Sequence, residues 1–161
     1  MATKLSVVVL VAALAFAGWA GWSWYRAAHG DAQARDEALD AGKAQVAVLT
    51  SFDYHNVDDG ITRWLNASTG ALHDRLAQTA DATKDSLRQG ATVATGVVLD
   101  AAIAELDMGA GTAKMLVSVE IRKTRDSAAP STGRNRYLAR LSRTPDGWKL
   151  ASLDTVGVGA S

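Results

Sequence analysis

The side chains in this sequence that could do chemistry are few and scattered. The densest group is Asp53-Tyr54-His55, a carboxylate, a phenol and an imidazole in three consecutive positions. Such groups move protons where apolar surroundings tune their pKa values, which is the chemistry of isomerases and dehydratases. The same residues also read as a packed Tyr54 with Asp53 and His55 in solvent. No second ionisable group is expected in the interior to complete a site, so an isomerase-like activity ranks last and no catalytic residue is assigned. His29, His55 and His73 are the only histidines and cysteine is absent, so no metal-ligand spacing exists, and neither a metal nor a cofactor is expected. Gly109-Ala110-Gly111 leads into a strand pattern rather than a helix, which is wrong for a phosphate loop, and no G-x-S-x-G elbow is present.

Two further groups point to binding. Arg122, Lys123, Arg125, Arg134, Arg136, Arg140, Arg143 and Lys149 concentrate cations in the last third of the chain. Strand alternation would bring several of them to one outer sheet face, with Arg122, Arg134, Arg136 and Arg140 as a candidate surface for an acidic partner or anionic lipid. The simpler reading is a solvated face whose charges guard a sheet edge. Aromatics are not interleaved with these cations, so nucleic acid is not an expected partner. Tyr54, His55, Trp64 and Trp148 are the candidate lining of an apolar pocket, although both tryptophans are most simply core residues. A lipid or sterol site would need little beyond concavity and apolar walls.

These residues must be positioned by about 130 residues, enough for one domain with its own core. Residues 1–110 carry 8 Lys/Arg against 13 Asp/Glu, and residues 111–161 carry 9 against 4, so an acidic first half and a basic second half can attract each other within one fold. From Asp31 to about Phe52 the Ala-rich chain repeats Leu39, Val46 and Leu49 at helical steps, with Gly42 on the stripe marking a close approach. Asn56 offers an N-cap, Asp58 and Asp59 suit a first helical turn, and Ile61, Trp64 and Leu65 form the face of a short second helix. A third helix runs from Ala71 to about Gln89 with Leu72, Leu76, Ala80, Thr83 and Leu87 on one face, and Gly90 ends it.

Past Gly90 the period falls to 2. Thr92–Leu99 is β-branched, with Gly96 signalling a bulge or bend, and Ala101–Leu106 continues the strand to a turn at Met108-Gly109-Ala110-Gly111. Met115, Val117, Val119 and Ile121 alternate with polar residues as a half-buried strand. A long polar loop is expected next, then a strand at Asn135–Arg143, a turn at Pro145-Asp146-Gly147, and a last strand at Trp148–Val156. Leu49, Ile61, Leu76, Val117, Val119, Tyr137 and Leu141 are the expected interior. Three helices followed by an antiparallel meander of about four strands make an α+β fold, a curved sheet wrapped on helices as in NTF2-like cones.

Upstream of this domain, Leu5–Tyr25 is a run of 21 residues without a charge, long enough as a helix to cross the roughly 30 Å of a bilayer core. Trp19, Trp22, Trp24 and Tyr25 crowd its end, where amphipathic rings sit at the headgroup level. The division is thus a tail at 1–4, a transmembrane helix at 5–25, a linker at 26–30 and the folded domain at 31–158. The rival is a signal peptide cleaved after Ala15-Phe16-Ala17, which the aromatics beyond that point disfavour. Lys4 precedes the run while Arg26 and Arg35 follow it, so charge does not place the C-terminal domain outside.

Four segments carry a family resemblance. They are Val48-Leu49-Thr50-Ser51-Phe52-Asp53-Tyr54, Ala67-Ser68-Thr69-Gly70, Ala113-Lys114-Met115-Leu116-Val117-Ser118-Val119 and Asp146-Gly147-Trp148-Lys149-Leu150-Ala151-Ser152-Leu153-Asp154. With the N-terminal apolar run, the chain resembles the Mce-associated membrane proteins of actinobacteria; Leu72 departs from the bulky aromatic the resemblance implies. The resemblance implies a single-pass cell-membrane protein with an NTF2-like or VirB8-like domain outside the membrane. Its implied role is that of a non-enzymatic accessory or scaffold for subunits of an Mce-type lipid importer, with self-association left open. The alternative is a lipid- or sterol-binding module that uses the cone.

Overall fold

The computed structural model describes residues 32–125 and 128–157. The apolar run Leu5–Tyr25, with Trp19, Trp22, Trp24 and Tyr25, lies outside the described residues, and no described helix is long and apolar enough to cross a membrane.

Helix α1 (32–49) meets the sheet along a stripe of small residues. Ala38, Gly42 and Val46 recur every four positions and are buried, whereas Leu39 and Leu49 flank the contact half-buried. A Cβ on Gly42 would stand 2.8 Å from Sδ of Met115 and 3.0 Å from Cδ1 of Leu141, so the close approach is of helix to sheet. The helix does not reach Phe52. Thr50 turns its hydroxyl back to the Val46 carbonyl at 2.7 Å, and Phe52–Asp53 pair with Ala94 and Val93 as a two-residue strand β1. That strand raises the sheet from the expected four strands to five.

A 3-10 turn (Tyr54–Asn56) leads into α2 (Val57–Ala67). Asn56 stands at the N-cap position, but its amide donates to Asp53 Oδ2 at 3.2 Å instead of capping the helix. Helix α3 (Gly70–Gln89) follows after Ser68 bridges to Leu150 and the Thr69 N–H donates to the Leu150 carbonyl at 2.8 Å. On α3 the phase is as expected, with Leu72, Leu76, Ala80, Thr83 and Leu87 on one side, yet none is fully buried. Asp58 accepts from both Lys84 and Arg88 at 3.0 Å, which ties α2 to α3.

The strands form a meander in chain order: β1, β2 (Thr92–Asp107), β3 (Thr112–Arg125), β4 (Ala128–Thr144) and β5 (Gly147–Thr155). All neighbours are antiparallel. Irregularities in β2 fall at Leu99 and Ala104, not at Gly96. Each inserts one extra residue on the outer side, so Val98, Ala101, Ile103 and Leu106 keep facing the core. Gly96 has a different reason. A Cβ there would lie 1.9 Å from Oγ1 of Thr50, so only glycine lets β2 pass under the end of α1.

The long polar loop expected before Asn135 is instead strand. β4 begins at Ala128 and pairs with β3 as far as Arg125, with one irregularity that accommodates Pro130. Its first half is exposed on both sides, so it carries no alternation of apolar residues to reveal it.

The core lies between α1 and the sheet, filled by Met115, Leu141, Leu150, Val46 and Val119. A satellite cluster of Phe52, Val57 and Ile61 with Trp64 packs under α2 and α3, Phe52 and Trp64 having ring centroids 5.5 Å apart. Of the expected interior, Ile61, Val117, Val119 and Leu141 are buried, while Leu49, Leu76 and Tyr137 are half-buried.

Candidate functional site

Asp53, Tyr54 and His55 sit where β1 turns into α2. Asp53 Oδ1 accepts from the His55 backbone N–H at 3.0 Å and meets its Nδ1 at 2.8 Å. That backbone bond first, and the imidazole second, hold the Asp53 carboxyl below the usual carboxylate range. Tyr54 stacks on His55 with ring centroids 3.9 Å apart. Asp53 thus acts as a turn cap, N-terminal to the 3-10 turn, and His55 is exposed. The arrangement can orient an imidazole, but among the described residues no enclosed space faces it. The hollow beside Tyr54 and His55, about 260 Å³, is an open surface lined mainly by polar groups such as Asp58, Asp59 and Arg88.

The four residues expected to line one pocket are divided. Tyr54 and Trp64 belong to the satellite cluster. The Trp64 indole N–H donates to the carbonyls of Val48 (3.0 Å) and Ser51 (3.2 Å), pinning α2 to the end of α1. Trp148 is buried in the main core, and its carbonyl accepts from the Gln45 amide. His55 contributes to neither cluster. Among the described residues no group of His, Cys, Asp and Glu could hold a metal.

The basic residues are brought together more closely. Alternation along β3 and β4 turns Met115, Val117, Val119, Ala139 and Leu141 to the helices, and turns Arg122, Arg134, Arg136 and Arg140 to the opposite face. Lys123, Arg125 and Arg143 fall on the other side of their strands. Glu120 stands among the outer cations, accepting from Arg122 Nη2 at 2.9 Å and Arg134 Nε at 3.3 Å. Chiefly through Arg122, these bonds keep its carboxyl below the ordinary glutamate range. Arg140 lies 4.0 Å from Asp154 on β5.

The outer face also carries features that the count of cations missed. Its β2 column is acidic, with Asp100 in the row of Ser118 and Arg136, and Glu105 in the row of Lys114 and Arg140. Apolar side chains are exposed here too, with Leu116 on β3 between the two columns. Leu116 is 50% exposed, and Val97, Leu99 and Val156 are exposed as well. Leu116, Ala102, Val156, Asp100 and Arg136 help to line a shallow hollow of about 330 Å³. The signal was present as Leu116 between Lys114 and Ser118, an apolar residue at an outward position of an otherwise alternating strand.

Several solved structures share this architecture. An IcmL-like type IV secretion system protein from Legionella pneumophila superposes with a TM-score of 0.62 at 11% identity, covering 79% of this chain and 95% of that one. The periplasmic domain of DotI gives 0.61 at 12% identity, with 74% and 93% covered. CagV of Helicobacter pylori, a VirB8 homolog, gives 0.57 at 12% identity, with 74% and 96% covered. At such identities the likeness is one of fold: an α+β domain with a curled antiparallel sheet and three helices, as in VirB8-like and NTF2-like domains. No curated protein sequence matches the chain. The family described as "Uncharacterized protein Rv1363c/MT1408-like" matches residues 1–151, and the chain belongs to that family.

Proposed function

We propose that the protein is a non-enzymatic scaffold, held to the cell membrane by Leu5–Tyr25, whose extracytoplasmic domain stabilises subunits of a lipid importer of the Mce type. The observation that carries this reading is the state of the interior. Met115, Leu141, Leu150, Val46 and Val119 fill the space between α1 and the sheet, where a carrier would need a void. A hollow of about 710 Å³ opens at the surface and is lined by the polar groups of Asp53, Asn56, Asp59, Thr62 and Arg63 as much as by apolar ones. The interactive chemistry instead lies on the outer sheet face, with its Arg134, Arg136 and Arg140 column. The fold shared with IcmL-like, DotI and CagV domains, whose names place them in type IV secretion systems or the periplasm, supports an assembly role on the far side of a membrane. The Mce assignment rests on the sequence resemblance.

The test is recovery of the tagged full-length protein from native membranes. Co-purification of importer subunits in fixed proportion, with a C-terminal tag cleaved by protease on intact cells, is the expected result. Recovery of the protein alone with a stoichiometric extractable lipid would replace the scaffold with the carrier. A tag protected in intact cells but cut in lysed ones would reverse the orientation.

A further inference from the structure

We infer that the open edge of β4 at Thr132–Asn135 takes up an extended acidic segment of a partner protein as an added strand. The inference rests on the scaffold reading for there being a protein partner, and it gives that partner a chemistry. Strand β5 pairs with β4 only as far as Thr155 opposite Tyr137, and the Val156 N–H then donates to the Arg136 carbonyl at 2.9 Å. Backbone groups alternate sides along a strand, so Arg134 and Thr132 point their N–H and C=O the same way as Arg136, away from β3. Among the described residues nothing pairs with them on that side. Every residue of β4 from Ala128 to Arg136 is exposed. Pro130, which has no N–H, stands at the irregularity opposite Thr124 and bounds the ladder. The open groups of Thr132 and Arg134 are what an added extended strand bonds, as in other sheet-edge recognition.

Side chains around this edge choose the kind of strand. Residues 120–136 hold Arg122, Lys123, Arg125, Arg134 and Arg136 against Glu120 and Asp126. Arg134 meets Glu120 through Nε alone, at 3.3 Å, which leaves its terminal nitrogens for a second carboxylate. Arg122 stands one strand further in, in the row of Thr132. Residues set opposite Arg134 and Thr132 therefore meet excess positive charge on the outer side of the sheet, and cross-strand pairing favours acidic ones. The residue between them faces the helix side, in the row Gly96–Ile121–Gly133. A Cβ on Gly133 would meet nothing within 4 Å, so an apolar side chain can lie across this glycine towards Ile121. The fitting segment thus alternates acidic, apolar, acidic. Cations that guard an edge repel a second copy of that edge, so the same charges that exclude self-pairing select an acidic strand. Val158, Gly159, Ala160 and Ser161 follow β5 in sequence and carry no acidic side chain, so they do not match these cations.

The probe is a blocked, fluorescent peptide Thr-Glu-Val-Glu-Thr, titrated by anisotropy against the full-length protein in detergent. Binding should weaken by about tenfold when both glutamates become lysines. It should weaken at least as much when their amide nitrogens are methylated, which keeps the charges and removes the backbone bonds. Thr132→Pro deletes one outward N–H without touching the β3 ladder, so it should lower affinity about tenfold at an unchanged Tm. Arg134→Glu should reverse the preference between the glutamate and lysine peptides. Equal binding of the methylated or lysine peptide would overturn the inference, as would Thr132→Pro protein that binds as the natural chain does. So would concentration-dependent self-association, lost in Thr132→Pro, that displaces the peptide. Peptide binding absent while importer subunits still co-purify from native membranes would remove this edge and leave the scaffold reading standing. Peptide binding as described, with no importer subunit recovered, would support the edge and remove the Mce assignment.

Discussion

Gly96→Ala should destabilise the domain although it adds one methyl group and favours a strand. A Cβ at this position would lie 1.9 Å from Oγ1, 2.7 Å from Cβ and 3.1 Å from the carbonyl oxygen of Thr50. Thr50 cannot swing aside freely, because its hydroxyl donates to the Val46 carbonyl at 2.7 Å in the last turn of α1. Relief must come from moving α1 off β2 or from breaking that bond and rotating Thr50. Overpacking of this kind costs about 1–3 kcal/mol, and the contact with backbone puts it at the upper end. Replacing a strand glycine returns roughly 0.5–1 kcal/mol. The expected net loss is about 2 kcal/mol, or on the order of 6–10 °C in Tm for a domain of this size. Urea titration of the purified full-length protein followed by tryptophan fluorescence would measure it. The decisive comparison is a double-mutant cycle with Thr50→Gly, which removes both the hydroxyl and Cβ. In that background Gly96→Ala should cost at least about 1 kcal/mol less than in the natural chain. An unchanged urea midpoint for Gly96→Ala, or costs that simply add in the cycle, would refute the close approach as the reason for glycine.

Val119 has no exposed surface and lies between α1 and the sheet, so Val119→Asp buries an uncompensated carboxylate and should cost roughly 3–5 kcal/mol; a melting curve like that of the natural protein would show the strand face misassigned. Glu120 is held below the ordinary glutamate range in the folded state, so its contribution is present above that range and is lost as the pH falls through the lower folded value. Glu120→Gln should flatten the acid limb of the stability–pH curve and leave its shape near neutrality unchanged, as followed by thermal melting at stepped pH. Tyr54→Phe and His55→Ala should leave lipid uptake nearly intact at equal protein level, because the Asp53–His55 pair is exposed and faces no enclosed space. Uptake lost in either variant with the complex still assembled would return the assignment to an enzyme or a ligand site.

The sequence by itself determined the elements whose pattern is local. Met115, Val117 and Val119 recur at every second position, and every one of the three is buried on the helix side. Leu72, Leu76, Ala80, Thr83 and Leu87 give α3 its phase, and Pro145-Asp146-Gly147 gives the last turn, with Gly147 at a φ of 104°. Those signals need only one strand or one helix to be read. What required the tertiary structure was everything set by a neighbour distant in sequence. The contact stripe of α1 is Ala38, Gly42 and Val46 rather than its leucines, because Met115 and Leu141 fill the space a larger side chain would need. Phe52–Asp53 becomes a strand only because β2 offers Val93 and Ala94, and residues 128–134 become one only because β3 supplies the ladder. The acidic column of β2 and the basic column of β4 lie far apart in the chain. Only the strand register, which aligns Asp100 with Ser118 and Ser118 with Arg136, turns them into opposite sides of one face.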